Sequence, residues 1–226
     1  VTLQIRGTGP LELLVVEANS KHEIRGTARQ VGEINEQADL QQIFGSDVLV
    51  ITIKTEGSEP HQGIAPLAGI NLSDALEYYF ATSEQLPAHF CLACDAENAS
   101  GMLIQKLPGK LTDDDAWDRV LHMASTVTDD ELQRLALDDL LHRLFNEETL
   151  RLFDAHGIKF SCSCSRQRTA AMLLSLGKAE ASEILEAEGE ISVSCEFCSA
   201  NYSFDQIDVE QVFGEGAVVS PDTTTH

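Results

Sequence analysis

Four cysteines constrain this chain more than any other feature. They stand as Cys162-Ser-Cys164 and, after thirty intervening residues, Cys195-Glu-Phe-Cys198. Four thiolates in two close pairs are the donor set of a tetrahedral Zn²⁺. The C-x-x-C half has an ordinary knuckle spacing. The C-x-C half needs a bent loop, because a single spacer residue must let both sulfurs face one ion. The unit that carries them, residues 159–213, has few large apolar side chains. Units of roughly fifty residues seldom fold without a staple. A structural zinc supplies about 10–16 kcal/mol of binding free energy, which in such a unit is folding free energy. One zinc per chain on Cys162, Cys164, Cys195 and Cys198 is therefore expected.

The remaining candidates are weaker. Cys91 and Cys94 form another C-x-x-C, but inside an expected strand, where positions i and i+3 face opposite sides. They are expected as small buried or half-buried residues rather than as ligands of one ion. His156 is near Cys162, but four thiolates already complete a shell; His122 and His142 are expected at the surface. Asp138 and Asp139 are helix neighbours that face different ways and read as a solvated face. No Gly-rich phosphate loop and no nucleophile–base motif is evident, so an enzyme is not expected.

Charge excludes partners. The net charge of −22 repels phosphate backbones and anionic lipid, so neither nucleic acid nor membrane is expected as a partner. No apolar run approaches a membrane span. No secretory pattern opens the sequence, so thiol or metal chemistry is favoured over a secreted disulfide framework. The sequence opens at Val1 already inside an alternating strand pattern, so a segment of the first domain is expected to be missing before it.

The expected fold class is α+β, in three parts and a tail. Residues 1–107 read as a mostly antiparallel sheet with a helical layer. Strands are expected at Val1–Arg6, Leu11–Glu17, Asp47–Lys54, Ala88–Asp95 and Gly101–Leu107, with a helix over Asn71–Ser83. Residues 108–158 read as a helical linker, metastable because short amphipathic helices depend on tertiary packing. Thr112 is the expected N-cap of its first helix, and Thr128-Asp-Asp-Glu131 is a capping box for a second that runs on through Phe145. Residues 159–213 form the small zinc domain. It has helices over Ser165–Leu176 and Lys178–Glu188, each stopped by glycine, a hairpin around the second cysteine pair and a last helix over Asp205–Phe213. Residues 214–226 are an expected flexible tail.

Spacing leaves two uses of the site open. One is a permanently reduced structural zinc, the commoner use of four-cysteine sites. The other is a switch, in which disulfides between near neighbours replace a tie between distant segments; such short loops constrain an unfolded chain little.

Phe160-Ser-Cys-Ser-Cys-Ser-Arg166, Glu188-Gly-Glu-Ile191 and Cys195-Glu-Phe-Cys198 resemble the heat-shock protein thirty-three family of redox-regulated holdase chaperones. Ile24-Arg-Gly-Thr-Ala-Arg29, Tyr79-Phe80 and Ser83-Glu-Gln-Leu-Pro87 resemble motifs of that family's first domain. The resemblance implies a cytoplasmic, ATP-independent chaperone that holds zinc and is largely inactive when reduced. It implies that oxidation pairs Cys162 with Cys164 and Cys195 with Cys198, expels zinc and unfolds the switch and linker. The oxidised protein would then dimerise and bind unfolding clients. Trp117, Leu121, Leu137, Leu141 and Phe145 are the apolar residues expected to meet them. Cys91 and Cys94 are not part of that switch pattern. A thiol–disulfide oxidoreductase using Cys195 and Cys198 is the competing reading; it needs the motif at a helix N-terminus.

Overall fold

The computed structural model describes residues 1–35, 37–67, 71–109, 113 and 115–214. The chain divides into two compact units, the first built from Val1–Glu17, Ala28–Lys54 and Glu59–Gly157, the second from Ala18–Thr27, Thr55–Ser58 and Ile158–His226.

The first unit begins with β1 (Thr2–Arg6) and β2 (Leu11–Ala18), an antiparallel pair that sets Ile5 opposite Leu14. Strand β3 (Glu23–Gln30) follows; its last residues belong to this unit and its first residues to the other. Helix α1 (Leu40–Phe44) starts at a capping box of Asp39 and Gln42 and ends at Gly45, whose φ of 58° is a left-handed turn. Strands β4 (Val48–Ile53) and β5 (His61–Pro66) complete an antiparallel run in which β4 lies between β1 and β5. Helix α2 (Leu72–Tyr79), capped by Asn71, passes directly into a π-helical turn over Phe80–Glu84. Its Ala75 and Tyr79 enter a core with Ile5, Leu40, Phe44, Leu49, Ile51, Ala65 and Leu67. Burial pushes the Tyr79 phenol up to about 12, and its hydroxyl donates to Glu84.

A second hairpin, β6 (Ala88–Cys94) and β7 (Ala99–Gln105), turns at Asp95, whose carboxylate accepts the Glu97 and Asn98 N–H groups. Three helices follow: α3 (Ala116–Ala124), α4 (Asp129–Arg134) and α5 (Leu137–Phe145). The Thr112 cap falls outside the described residues. The helix itself starts later than that cap implies, at Ala116, because Asp113 instead closes a turn on the Asp115 N–H and binds Arg119. The Thr128–Glu131 capping box is present. The helix it opens is not continuous to Phe145. Leu135 and Ala136 are extended, and the break lets α4 pack on β6 and β7 while α5 packs on α3. Ala93, Ala124, Leu132, Leu140, Leu144 and Phe145 bury together at this contact.

The second unit holds β8 (Lys159–Phe160), paired in parallel with the first residues of β3. Helix α6 (Arg166–Leu176) runs from the Ser165 cap to Gly177, and α7 (Lys178–Glu188) runs to Gly189. The glycines hold φ of 99° and 83°, which suits residues without a Cβ. Strands β9 (Ile191–Ser194) and β10 (Asn201–Phe204) form an antiparallel hairpin, and α8 (Gln206–Gly214) closes the unit. Its core is small: Leu173, Ala181, Ile191, Phe204 and Val209. Arg166 reinforces it by stacking on Phe204, donating to the Ser203 carbonyl and pairing with Asp208. The tail expected over residues 214–226 lies, from 215 onward, outside the described residues. Among the described residues, no helix is long and apolar enough to cross a membrane.

Candidate metal centre

Both cysteine pairs sit on tight turns of the second unit. Cys162 and Cys164 fall between β8 and the N-cap of α6. The spacer Ser163 is held from two sides: its carbonyl accepts from Arg168 and its hydroxyl accepts from Arg25 at 2.9 Å. These arginines maintain the bend that a one-residue spacer requires. Cys195 and Cys198 occupy the turn between β9 and β10. The Cys195 N–H donates to the Ala200 carbonyl and the Ser199 N–H donates to the Cys195 carbonyl. Ser199 takes a left-handed φ of 58°, an unusual conformation for a side-chain-bearing residue that tightens the knuckle.

The four sulfurs all lie within 4.8 Å of one another and are half-buried. Cys162 Sγ is 3.7 Å from Cys195 Sγ, and Cys164 Sγ is 3.3 Å from Cys198 Sγ. A ZnS₄ tetrahedron with bonds of ~2.3 Å has S–S edges of about 3.8 Å. The donor set therefore fits such an ion in number, chemistry and spacing. It was the only group of three or more His, Cys, Asp or Glu with this geometry found among the described residues.

Electrostatics point the same way. The Cys164 backbone N–H, followed by the other sulfurs, brings the Cys162 thiol down to about 6. Against the pull of the Ala200 N–H, the sulfurs of Cys164, Cys195 and Cys162 push the Cys198 thiol up to about 12. Crowded sulfurs cannot all ionise unless a cation lies among them. Tyr202 donates its hydroxyl to Cys164 Sγ at 3.1 Å, and this bond raises the phenol to about 12. Arg25 lies 4.0 Å from Cys162 Sγ and stacks on the Phe197 ring. A hydroxyl donor and a guanidinium beside the sulfurs stabilise thiolate charge.

Sequence reasoning missed both of these supporting groups. Tyr202 lies in the hairpin arm just beyond the second pair, so a strand reading could have marked it. Arg25 lies 137 residues from Cys162, and no local pattern connects them.

The other candidates are scattered. Cys91 is half-buried and Cys94 is exposed, on opposite faces of β6. The expectation that both are at least half-buried therefore fails for Cys94, which stands at the open end of the strand beside the turn. His122 and His142 are exposed on α3 and α5. Of the apolar residues expected to meet clients, Phe145 is buried, Trp117, Leu121 and Leu141 are half-buried and Leu137 is 61% exposed. The Cys195–Cys198 motif lies in a strand-to-strand turn, not at a helix N-terminus.

Comparisons with known proteins are consistent with one another. A family model described as Hsp33 protein matches residues 1–205. The chain is 43% identical to the 33 kDa chaperonin of Nitrosococcus oceani over 223 residues, covering 99% of this chain and 76% of that one. It is 43% identical to the 33 kDa chaperonin of Ectopseudomonas mendocina over 234 residues, covering 100% of this chain and 79% of that one. The crystal structure of the 33 kDa chaperonin of Thermotoga maritima shares the fold, with a TM-score of 0.82 at 24% identity over 95% of this chain and 77% of that chain.

Proposed function

The chain belongs to the Hsp33 protein family of chaperones, and from that membership we propose that it is a redox-gated holdase that binds unfolding proteins in the cytoplasm. The observation that carries the reading is the convergence of Cys162, Cys164, Cys195 and Cys198 within 4.8 Å, from two turns of a unit with only a small core.

Zinc bound there would tie the turn before α6 to the β9–β10 turn. The four thiolates hold the charge it needs, Tyr202 and Arg25 steady that charge, and Ser163 and Ser199 keep the sulfurs turned inward. Peroxide oxidises Cys162 with Cys164 and Cys195 with Cys198. In each pair an S–S bond forms as the two thiolates give two electrons to one peroxide, whose O–O bond breaks and which takes up two protons from solvent to leave two waters. Disulfide sulfur is neutral and no longer ligates a dication. Zinc on all four sulfurs would close the long loop of about 33 residues as well as the two short ones, whereas the two disulfides keep only the short ones, so the long closure, roughly 3.7 kcal/mol on an unfolded chain, is lost. The exchange therefore leaves the unit less constrained than before.

The linker helices carry the consequence. Their apolar faces bury Leu132, Leu140, Leu144 and Phe145 in the reduced state. Once loosened, those faces together with Trp117, Leu121, Leu137 and Leu141 become a surface for unfolded chains and for a second copy of the oxidised protein. The excess acidic charge keeps such complexes soluble.

The test measures light scattering of a heat-unfolded client with reduced and with peroxide-treated protein, while released zinc is titrated with an indicator dye. Suppression of aggregation that rises with zinc release supports the holdase. Zinc retention with no gain marks a static site, and catalytic reduction of a disulfide marks an oxidoreductase. Peptide mapping adds a sharper arm, because the nearest sulfurs pair across the two turns. Disulfides between Cys162 and Cys195, or between Cys164 and Cys198, would preserve the tie and sink the proposed switch.

A further inference from the structure

Strand β6 carries a second arrangement of sulfur, imidazole and carboxylate, apart from the four clustered cysteines. His89 and Cys91 are two residues apart and so share a strand face. Glu77 reaches them from α2, which packs against β6. Glu77 Oε1 lies 2.8 Å from His89 Nδ1 and also accepts the Phe90 N–H at 2.9 Å, so the strand it orients holds it in place. The second imidazole nitrogen, Nε2, lies 3.5 Å from Cys91 Sγ. An ionised carboxylate only accepts, so Glu77 places the imidazole proton on Nδ1 and turns the Nε2 lone pair toward the thiol. Nucleophile, base and orienting acid thus stand in line.

Cys94 supplies a comparison within the same strand. It is exposed, whereas Cys91 is half-buried with its Sγ 4.0 Å from the Ala124 carbonyl. Burial, and then the charge of Glu77, pushes the Cys91 thiol up. Without a proton acceptor Cys91 would be the less reactive of the two.

We propose that Cys91 is a thiol-exchange site for low-molecular-weight disulfides, with His89 as its base and Glu77 as a positioning residue. His89 Nε2 takes the thiol proton as Cys91 Sγ attacks one sulfur of the small disulfide. The bond from Cys91 to that sulfur forms and the original S–S bond breaks. Its electron pair leaves on the second sulfur, which takes the proton from His89 and departs as a thiol. Cys91 is oxidised to a mixed disulfide and the second sulfur is reduced, so the small disulfide is the only oxidant required.

The experiment incubates the full reduced chain with glutathione disulfide at neutral pH and follows mixed disulfides at Cys91 and Cys94 by peptide mass spectrometry. Cys91 is expected to react about tenfold faster than Cys94, despite its burial. His89→Gln should bring Cys91 below Cys94, leaving Cys94 unchanged. Glu77→Gln should slow Cys91 and, because its charge no longer holds the thiol up, move its rate profile to lower pH, whereas mere loosening of β6 would speed it by exposure. Faster reaction at Cys94 in the unsubstituted chain overturns the proposal without reliance on any variant. So does an unchanged Cys91 rate in His89→Gln.

Discussion

The sheet core of the first unit and the core of the second are stabilised by different means. The sheet core of the first unit gathers Ile5, Leu40, Phe44, Leu49, Ile51, Ala65, Leu67, Ala75 and Tyr79 from strands and helices on both sides of several turns. The second unit buries Leu173, Ala181, Ile191, Phe204 and Val209. The first can lose a contact and still exclude water. The second has little apolar area in reserve, and a metal on its four sulfurs would make up the difference. A metal held there, as proposed, would be both the strength of the small unit and the point at which chemistry could release it.

The largest expected effect comes from removing that tie. A strong chelator added to reduced protein should strip amide-exchange protection from Leu173 and Val209 to within about tenfold of unfolded rates, while Ile51 keeps its protection. Equal protection before and after chelation would show that the small core suffices by itself, and the contrast would collapse.

A smaller effect tests the cores directly. Leu173→Ala and Ile51→Ala each delete a side chain that is no more than 3% exposed, at about 3 kcal/mol apiece. Because the small unit has less to spare, Leu173→Ala should lower its metal-release midpoint in a chelator titration, whereas Ile51→Ala should leave that midpoint in place. Equal shifts would mean that the two units unfold as one.

The smallest effect is a dependence on pH. Arg166 holds the Asp208 carboxyl below its ordinary 3.8, first through their hydrogen bond. A depressed carboxyl stabilises above the unfolded value and loses that contribution as pH falls through the folded one. The stability difference between the unsubstituted chain and Asp208→Asn should therefore shrink as the solution is acidified below about pH 4. Urea midpoints of the second unit measure it, and a difference that grew on acidification would assign Asp208 no role in this clamp.

Much of the second unit was legible because its punctuation is local. Gly177 and Gly189 end helices, and the runs flanking the second cysteine pair mark a hairpin. The first unit was read less completely. Strand β3 is Glu-Ile-Arg-Gly-Thr-Ala-Arg-Gln and β5 is His-Gln-Gly-Ile-Ala-Pro, both too polar and glycine-bearing to stand out alone. Helix α1 has five residues, too few to show a period. The break at Leu135 and Ala136 has no glycine or proline to mark it and follows from the different neighbours of α4 and α5. The clustering of the four cysteines was legible in their spacing. Their supporting shell was not, since Arg25 and Tyr202 reach the sulfurs only through the fold. The alternation of His89 and Cys91 was visible in β6, yet Glu77 comes from another element and only the folded chain completes that relay.

The pairing of β3 with β8 has a consequence for biogenesis. Arg25 grips Ser163 across 138 residues of sequence. A ribosome adding about 5–20 residues per second would need roughly 7–30 s to deliver the second partner after the first. The arginine that steadies the C-x-C bend is thus made well before the serine it grips and must wait for it. The nascent second unit can close only after nearly all of the sheet and linker has emerged.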